Sequence, residues 1–407
     1  MTEKRNITKE DILLKARLLT EGVRLQVKAP SSRRSKNPYA PMLIVFDGCD
    51  VVAPVMPNPR SILELVADGD EVTISELGEV LMTGQLAVRS PWRDMPLSDG
   101  VSTVDTSMGY ESIVSSIDIN PGCYVCTIGK GCQYCSFGPG LINVHAGLPS
   151  DPSVSEMLAF AEQGIEARVI AIKAGWRGLF LLAGGASTPD RRGQWTTDMI
   201  EAVMERIRRD VDDATLSEIQ MATDVYPPKD LGELYKWKSF GVNATEFDNQ
   251  VMNPRYFKAV CPGRGSQQHW FEAQEAAVEI FGRGRGCITN VVAGCEPLGG
   301  MIEGIEERMS KGVYTVPMTF GGAPGSPMAG MRPPGAEWYV EVAEKVVDIY
   351  FKYADTLDVN LTEDDRWGYT RRGQSWFSAP SDDEKSRRLQ EMGKLPPGLP
   401  RQDGIDV

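Results

Sequence analysis

The fold is decided by residues 113–140, which read IVSSIDINPGCYVCTIGKGCQYCSFGPG. The first seven residues of this stretch are rich in β-branched side chains and predict a short strand. A glycine-rich loop follows directly and contains four cysteines, Cys123, Cys126, Cys132 and Cys135. Barrels and open α/β sheets carry their active sites on loops at the C-terminal ends of strands. We therefore expect the functional site on this loop.

Strand-like and helix-like segments alternate downstream of the loop to about residue 356. The candidate strands are 113–119, 179–182, 218–222, 244–247, 288–292 and 314–318. The candidate amphipathic helices are 154–174, 196–209, 270–281, 301–311 and 336–351. Six such units predict an α/β fold with a parallel sheet and outer helices, either open or curled into a barrel.

The two ends of the chain differ from this alternating core. A helix is predicted over 9–21, followed by strands at 42–46 and 51–55 that a turn at 47–50 joins into a hairpin. Segments 61–67 and 75–82 fit either helix or strand. The end of the chain is charged and proline-rich, which favours a surface-wrapping or partly disordered extension. The predicted organisation is an N-terminal α+β accessory region (1–110), the core (111–356) and a C-terminal extension (357–407).

Composition excludes several classes of protein. Hydrophobic residues make up 42% of the 407, which is typical of a folded chain. The 43 basic and 56 acidic residues give a net charge of −13, and this argues against a nucleic-acid partner. The most apolar region, 169–186, is interrupted by Lys173 and Arg177, so no membrane partner is expected. The first twenty residues carry no signal-peptide core, and we expect a cytoplasmic protein.

The cysteine spacing leaves more than one metal chemistry open. Eight cysteines in a large chain without a leader indicate metal binding rather than a disulfide framework. Two C-x2-C pairs separated by five residues are compatible with structural zinc in an α/β enzyme whose chemistry lies elsewhere, although zinc knuckles usually have a longer spacer. Thiolates equally suit an iron–sulfur cluster, in an enzyme or in a non-catalytic maturation scaffold.

The loop resembles that of the radical S-adenosylmethionine (radical SAM) enzymes. The segment from Cys132 through Tyr134 to Cys135 matches the second half of the family pattern C-x3-C-x-aromatic-C. The first half departs from it, because residue 128 is isoleucine and the nearest upstream cysteine, Cys126, gives C-x5-C-x2-C. The resemblance covers about 113–356 and is closest to the branch with biotin synthase and the methylornithine-synthase-like hydrogenase-maturation proteins. Residues 1–110 match none of these relatives.

That resemblance implies a partial (β/α)6 TIM-like barrel with a 4Fe-4S cluster and S-adenosylmethionine as cofactors. Cys126, Cys132 and Cys135 would ligate the cluster, whereas Cys123 could replace Cys126, bind transiently or be a bystander. Reductive cleavage of S-adenosylmethionine would give a 5'-deoxyadenosyl radical, which abstracts hydrogen from a small-molecule substrate in cofactor or natural-product biosynthesis. An electron donor such as flavodoxin or ferredoxin would be a partner.

The resemblance also implies contacts to S-adenosylmethionine from residues scattered along the chain. Tyr134 corresponds to the family residue that touches adenine. Gly184 and Gly185 correspond to residues whose backbone contacts the amino group. Glu246 corresponds to a residue that contacts the ribose or the amino group. Arg264 is a candidate for pairing with the carboxylate of S-adenosylmethionine. Gly294 is a candidate for packing near its adenine. Three of these have a plainer interpretation: the glycine pair as a turn, Glu246 as a solvated loop residue and Arg264 as a surface charge. The residues that act on the substrate are not identified by the sequence.

Overall fold

The computed structural model describes most of the predicted core and part of each end. The described residues are 5, 8–29, 42–49, 51–55, 57–86, 92, 95–100, 114–119, 122–135, 152–177, 179–188, 193–322, 325–353 and 356–357. The predicted boundary near residue 110 and nearly all of the predicted extension 357–407 lie outside them. The three-part division of the chain therefore stays a prediction.

The N-terminal part is a mixed sheet with one helix. Its elements are α1 (Lys9–Thr20), β1 (Arg24–Ala29), β2 (Met42–Phe46), β3 (Val52–Val55), β4 (Leu63–Asp68), β5 (Glu71–Glu76) and β6 (Glu79–Leu86). The strand order is β1-β4-β5-β6-β2-β3, with only β1 and β4 paired in parallel. The predicted helix and the β2–β3 hairpin are confirmed. The ambiguous segment 75–82 spans the turn of a second hairpin, in which Leu77 has a φ of 51°.

The second sheet has six parallel strands in chain order. Its first half contains β7 (Val114–Asp118), α2 (Tyr124–Thr127), α3 (Val154–Lys173), β8 (Leu179–Ala183), α4 (Gln194–Arg208), α5 (Asp213–Ser217), β9 (Gln220–Asp224) and α6 (Glu233–Ser239). Its second half contains β10 (Ala244–Glu246), α7 (Pro254–Val260), α8 (Gln267–Phe281), β11 (Gly284–Ala293), α9 (Leu298–Ser310), β12 (Val313–Thr319) and α10 (Ala336–Tyr353). Each strand pairs with the next, from β7 to β12. The predicted partial (β/α)6 barrel is confirmed.

Alternation along the strands separates the two faces of this sheet. Met221 belongs to an apolar core shared with α3, α4 and α8, whereas its neighbour Ala222 and Ala244 of β10 belong to a different core. Side chains two positions apart on a strand share a face. Asp224 and Glu246 therefore lie on the same face as Ala222 and Ala244, at the C-terminal ends of their strands.

The largest differences from the predicted strand boundaries occur at β9 and β11. β9 ends at Asp224 rather than 222, because its register with β8 runs from Gln220 opposite Leu179 to Asp224 opposite Ala183. β11 begins at Gly284 rather than 288, with an irregularity in its pairing to β12 before Ile288. Both differences arise from pairing with neighbouring strands, which a local apolar pattern does not specify.

The N-terminal sheet packs on the barrel through α10. Lys9 of α1 forms an ion pair of 2.5 Å with Glu344 of α10, and an apolar core continues from the first sheet into α9 and α10. The N-terminal sheet and the barrel thus share buried surface. Within the described parts of the chain, every helix is too short or too polar to cross a bilayer.

Candidate metal centre

The cysteine loop is anchored by backbone hydrogen bonds to segments far away in sequence. The amide of Tyr124 donates to the carbonyl of Ala186, beyond β8, at 2.7 Å. The amide of Gln133 donates to the carbonyl of Val260 at 2.8 Å, and the carbonyl of Gln133 accepts from Met328 at 2.9 Å. The described part of the cysteine loop, residues 122–135, therefore has a defined position over the C-terminal ends of the strands.

The thiols of this loop form contacting pairs. A hydrogen bond from Cys126 lowers the pKa of Cys123 to about 6, and the same contact raises the pKa of Cys126. A hydrogen bond from Cys261 lowers the pKa of Cys132 to about 5. The positive charge of Arg264 also lowers this pKa, whereas burial of the thiol raises it. Cys135 also interacts electrostatically with Cys126. Cys123 and Cys132 therefore have thiolate character, which iron and zinc both require of their ligands.

Two glycines allow the close approach of backbone to these thiols. A Cβ at residue 131 would lie 2.6 Å from Sγ of Cys126. A Cβ at residue 185 would lie 2.5 Å from Cβ of Cys123, and the amide of Ala186 donates to Sγ of Cys123 at 3.4 Å. Four half-buried thiols in one loop, packed against backbone and beside a cation, are a donor set that fits an iron–sulfur cluster.

Arg264 is held beside the loop by aromatic rings and a backbone carbonyl. Its guanidinium carbon lies 4.3 Å from the ring centre of Trp270 and 5.2 Å from that of Tyr226. Its Nη1 donates to the carbonyl oxygen of Asp248. These contacts place its positive charge next to the thiol of Cys132. Arg264 is partly buried and stacks on these rings, so its guanidinium is held against the protein.

Carboxylates meet at the ends of β9 and β10. Ligand oxygens of Asp224, Glu246 and Asp248 all lie within 4.8 Å of one another. Glu246 is fully buried and accepts a hydrogen bond from Nδ2 of Asn290, which also donates to Oδ2 of Asp248 at 3.1 Å. Glu246 is therefore part of an internal polar network and not a solvated loop residue.

Tyr134 joins that network from the cysteine loop. Its hydroxyl donates to Oε1 of Gln250 at 2.5 Å, and Nε2 of Gln250 donates to Oδ2 of Asp248 at 2.9 Å. Burial and the negative charge of Cys132 raise the pKa of Tyr134, so the phenol stays protonated. The sequence analysis missed Asp248, Gln250 and Asn290. A polar run directly after a buried strand, as at 248–250, is the signal that would have indicated the first two.

The remaining predicted residues lie at the ends of β8 and β11. The amide of Gly184 donates to the carbonyl of Asp224 at 2.9 Å, which ties the glycine pair to the carboxylates. Gly294 has a φ of 114°, and a Cβ there would lie 2.9 Å from Pro334. The carboxylate of Glu296 accepts from the amides of residues 252 and 253, at 2.6 and 2.8 Å. All nine predicted site residues thus lie at the C-terminal edge of the sheet or on its loops.

Comparison with known proteins gives one relative across the whole chain. Bacteriochlorophyllide c C-7(1)-hydroxylase from Chlorobaculum limnaeum is 40% identical over 407 residues, which cover 98% of this chain and all of the relative. No family model matches the chain.

Two solved structures show a distant likeness to the chain. Methylornithine synthase aligns with a TM-score of 0.41 and 13% identity, over 59% of this chain and 62% of its own. The FeFe-hydrogenase maturase HydG from Carboxydothermus hydrogenoformans aligns with a TM-score of 0.45 and 15% identity, over 70% of this chain and 57% of its own. The chain thus spans less than two thirds of either solved chain, and neither likeness indicates a shared reaction.

Proposed function

The chain belongs to the radical SAM enzymes, in the family of bacteriochlorophyllide c C-7(1)-hydroxylase, and from that premise we propose that it hydroxylates a methyl carbon of a bacteriochlorophyllide-type tetrapyrrole. The observation that carries the proposal is the 40% identity to that hydroxylase along its full length. Because the similarity extends beyond the barrel into the N-terminal part, it favours a related substrate as well as related cofactors. Enzymes of this family use a 4Fe-4S cluster and S-adenosylmethionine.

The proposed cluster ligands are Cys126, Cys132 and Cys135. The close packing of residue 131 against Sγ of Cys126 supports this assignment, because it places that sulfur beside the following Cys132. A hydrogen bond from Cys261 and the positive charge of Arg264 favour the thiolate of Cys132, which is the form that ligates metal. Besides its contact with Cys126, the thiol of Cys123 accepts a hydrogen bond from the amide of Ala186, which supports a role in joining the loop to β8.

The proposed contacts to S-adenosylmethionine are Tyr134, Gly184, Gly185, Glu246, Arg264 and Gly294. When bound, the reduced cluster supplies the electron that cleaves S-adenosylmethionine into methionine and a 5'-deoxyadenosyl radical. The protein's own contribution is positioning and exclusion of water. Tyr134 and Glu246 are held by the buried network, so their polar atoms do not need to reorganise when a nucleoside binds. Arg264 presents its guanidinium at the same edge of the sheet.

The proposed overall conversion balances with water as the oxygen source. The reactants are a substrate methyl group, one S-adenosylmethionine sulfonium and one water. The products are a hydroxymethyl group, methionine, 5'-deoxyadenosine and one proton. The electron used for cleavage is returned when the substrate carbon is oxidised. A flavodoxin or ferredoxin is the proposed donor of that first electron, and no nucleic acid is required. Eight free cysteines support a reducing compartment such as the cytoplasm.

Anaerobic reconstitution tests the proposal. The full-length protein is loaded with iron and sulfide, its iron and zinc contents are measured, and dithionite, S-adenosylmethionine and bacteriochlorophyllide c are added. We expect 5'-deoxyadenosine together with a product heavier by one oxygen atom, which carries ¹⁸O when the water is labelled.

Three outcomes would contradict the proposal in different ways. Zinc without iron would favour the zinc-stabilised α/β enzyme. Iron without cleavage of S-adenosylmethionine would favour the non-catalytic scaffold. Cleavage of S-adenosylmethionine that requires the tetrapyrrole but adds no oxygen to it would refute hydroxylation. The tetrapyrrole would then still be the substrate.

A further inference from the structure

Gln250 has an unusual backbone conformation at the edge of the proposed cofactor site. Its φ is 67°, a left-handed value that is uncommon for residues other than glycine. Its amide donates to the carbonyl of Asn290 at 2.9 Å, and its carbonyl accepts from Val292 at 2.8 Å. Both backbone groups are thus bonded to β11. Conformations of this kind persist where surrounding contacts hold them, and they concentrate at functional sites.

The side chain of Gln250 uses both ends of its amide. Its Nε2 lies 2.9 Å from a carboxylate oxygen of Asp248, which when ionised can only accept. The carbonyl Oε1 is therefore the end that faces Tyr134, at 2.5 Å from the phenol oxygen. With Asp248 ionised, the phenol is therefore the donor to Oε1. Gln250 is only 8% exposed, so water does not compete for these groups.

We propose that Gln250 is a positioning residue, which fixes the Tyr134 ring and the Cys132–Cys135 half of the loop in the orientation that binds the nucleoside of S-adenosylmethionine. This inference rests on the proposed function of the site. Gln250 links two segments that are 116 residues apart, the cysteine loop and the segment after β10. Without it, rotation of the phenol would no longer be coupled to the carboxylates. With this left-handed backbone, both backbone groups pair with β11 while the side chain reaches the loop.

Binding measurements on the reconstituted full-length protein test this role. In Gln250→Asn the left-handed conformation is still tolerated, because Asn adopts it more readily than most residues, but the shorter amide does not span both partners. We expect the dissociation constant of S-adenosylmethionine to rise about 3- to 10-fold, as for the loss of one or two buried hydrogen bonds. Tyr134→Phe should weaken binding similarly, and the double variant should be no weaker than the worse single variant.

A positioning role should also be visible in the spectrum of the cluster, and not only in the dissociation constant of S-adenosylmethionine. In wild-type protein, S-adenosylmethionine should change the electron paramagnetic resonance spectrum of the reduced cluster. In Gln250→Asn that change should be smaller at saturating S-adenosylmethionine, with unchanged iron content. Gln268→Asn, at an exposed residue of α8, is the matched control and should match wild type.

The outcomes separate this inference from the function on which it rests. If wild-type protein binds iron but no S-adenosylmethionine, the proposed function fails. If wild type binds it and both single variants bind equally well, or their effects add in the double variant, the positioning role is refuted. Should Gln250→Asn lose iron or fold poorly, Tyr134→Phe still decides, because it removes the same bond from the other side.

Discussion

Gly185→Ala is a sharp test of how the cysteine loop is held. The new Cβ would lie 2.5 Å from Cβ of Cys123, 2.6 Å from the carbonyl oxygen of Gly122 and 2.8 Å from Cα of Cys123. Since carbon atoms pack at about 3.5 Å or more, the loop and the end of β8 must separate by about 1 Å. Two of these three contacts involve backbone atoms, so a side-chain rotation does not relieve them.

That separation removes two hydrogen bonds at the junction. The bond from Tyr124 to the carbonyl of Ala186, now 2.7 Å, and the bond from Ala186 to Sγ of Cys123, now 3.4 Å, would both lengthen. Adding about 1 Å takes the first beyond hydrogen-bond range, and each lost bond costs about 0.5–1.5 kcal/mol. With about 1 kcal/mol or more of overpacking, we expect destabilisation of about 2–4 kcal/mol.

The assay combines thermal unfolding of the apoprotein with iron content after reconstitution. Gly185→Ala should lower the unfolding midpoint by several degrees and reduce iron retained per chain. Gly299→Ala is the matched control, because a Cβ there meets no atom within 4 Å and alanine is favoured in a helix. A Gly185→Ala protein with wild-type midpoint and iron content would refute the reasoning.

Three further predictions concern the cluster, the barrel edge and the buried charge. Cys126→Ala should lose the cluster and Cys123→Ala should retain it, measured as iron per chain, and the reverse result would overturn the ligand assignment. Tyr339→Phe should lower the free energy of unfolding by about 1–3 kcal/mol, because the Tyr339 hydroxyl accepts from Phe320 at 3.0 Å and donates to a carbonyl of β11 at 2.8 Å; an unchanged urea midpoint would contradict this. Burial lowers the pKa of Lys15 from its ordinary value of 10.5 to about 7, so the unfolded chain binds this proton more tightly and stability rises with pH between those values. Lys15→Met should therefore raise the melting temperature more at pH 7 than at pH 10, and equal gains at both would show that burial of this charge carries no cost.

The sequence alone indicated the chemistry of the centre because that information is local. Four cysteines within thirteen positions and the aromatic residue at 134 lie in one loop, and the strand before it has a recognisable pattern. The six alternating units likewise predicted a parallel sheet, since hydrophobic periodicity reports which face of each element is buried. The hairpin of β2 and β3 was predicted from its turn residues for the same reason.

The tertiary structure decided which distant side chains complete the site. Cys261 is buried, and its contact with Cys132 depends on how α7 packs over the loop. The bond between Tyr134 and Gln250 and the meeting of Asp224 with Glu246 depend on strand register. Register and packing are properties of partners far apart in the chain, and a single residue's neighbours in sequence carry no record of them. The sequence thus determined which donor atoms the centre offers, whereas the fold determined their partners, their burial and their charge.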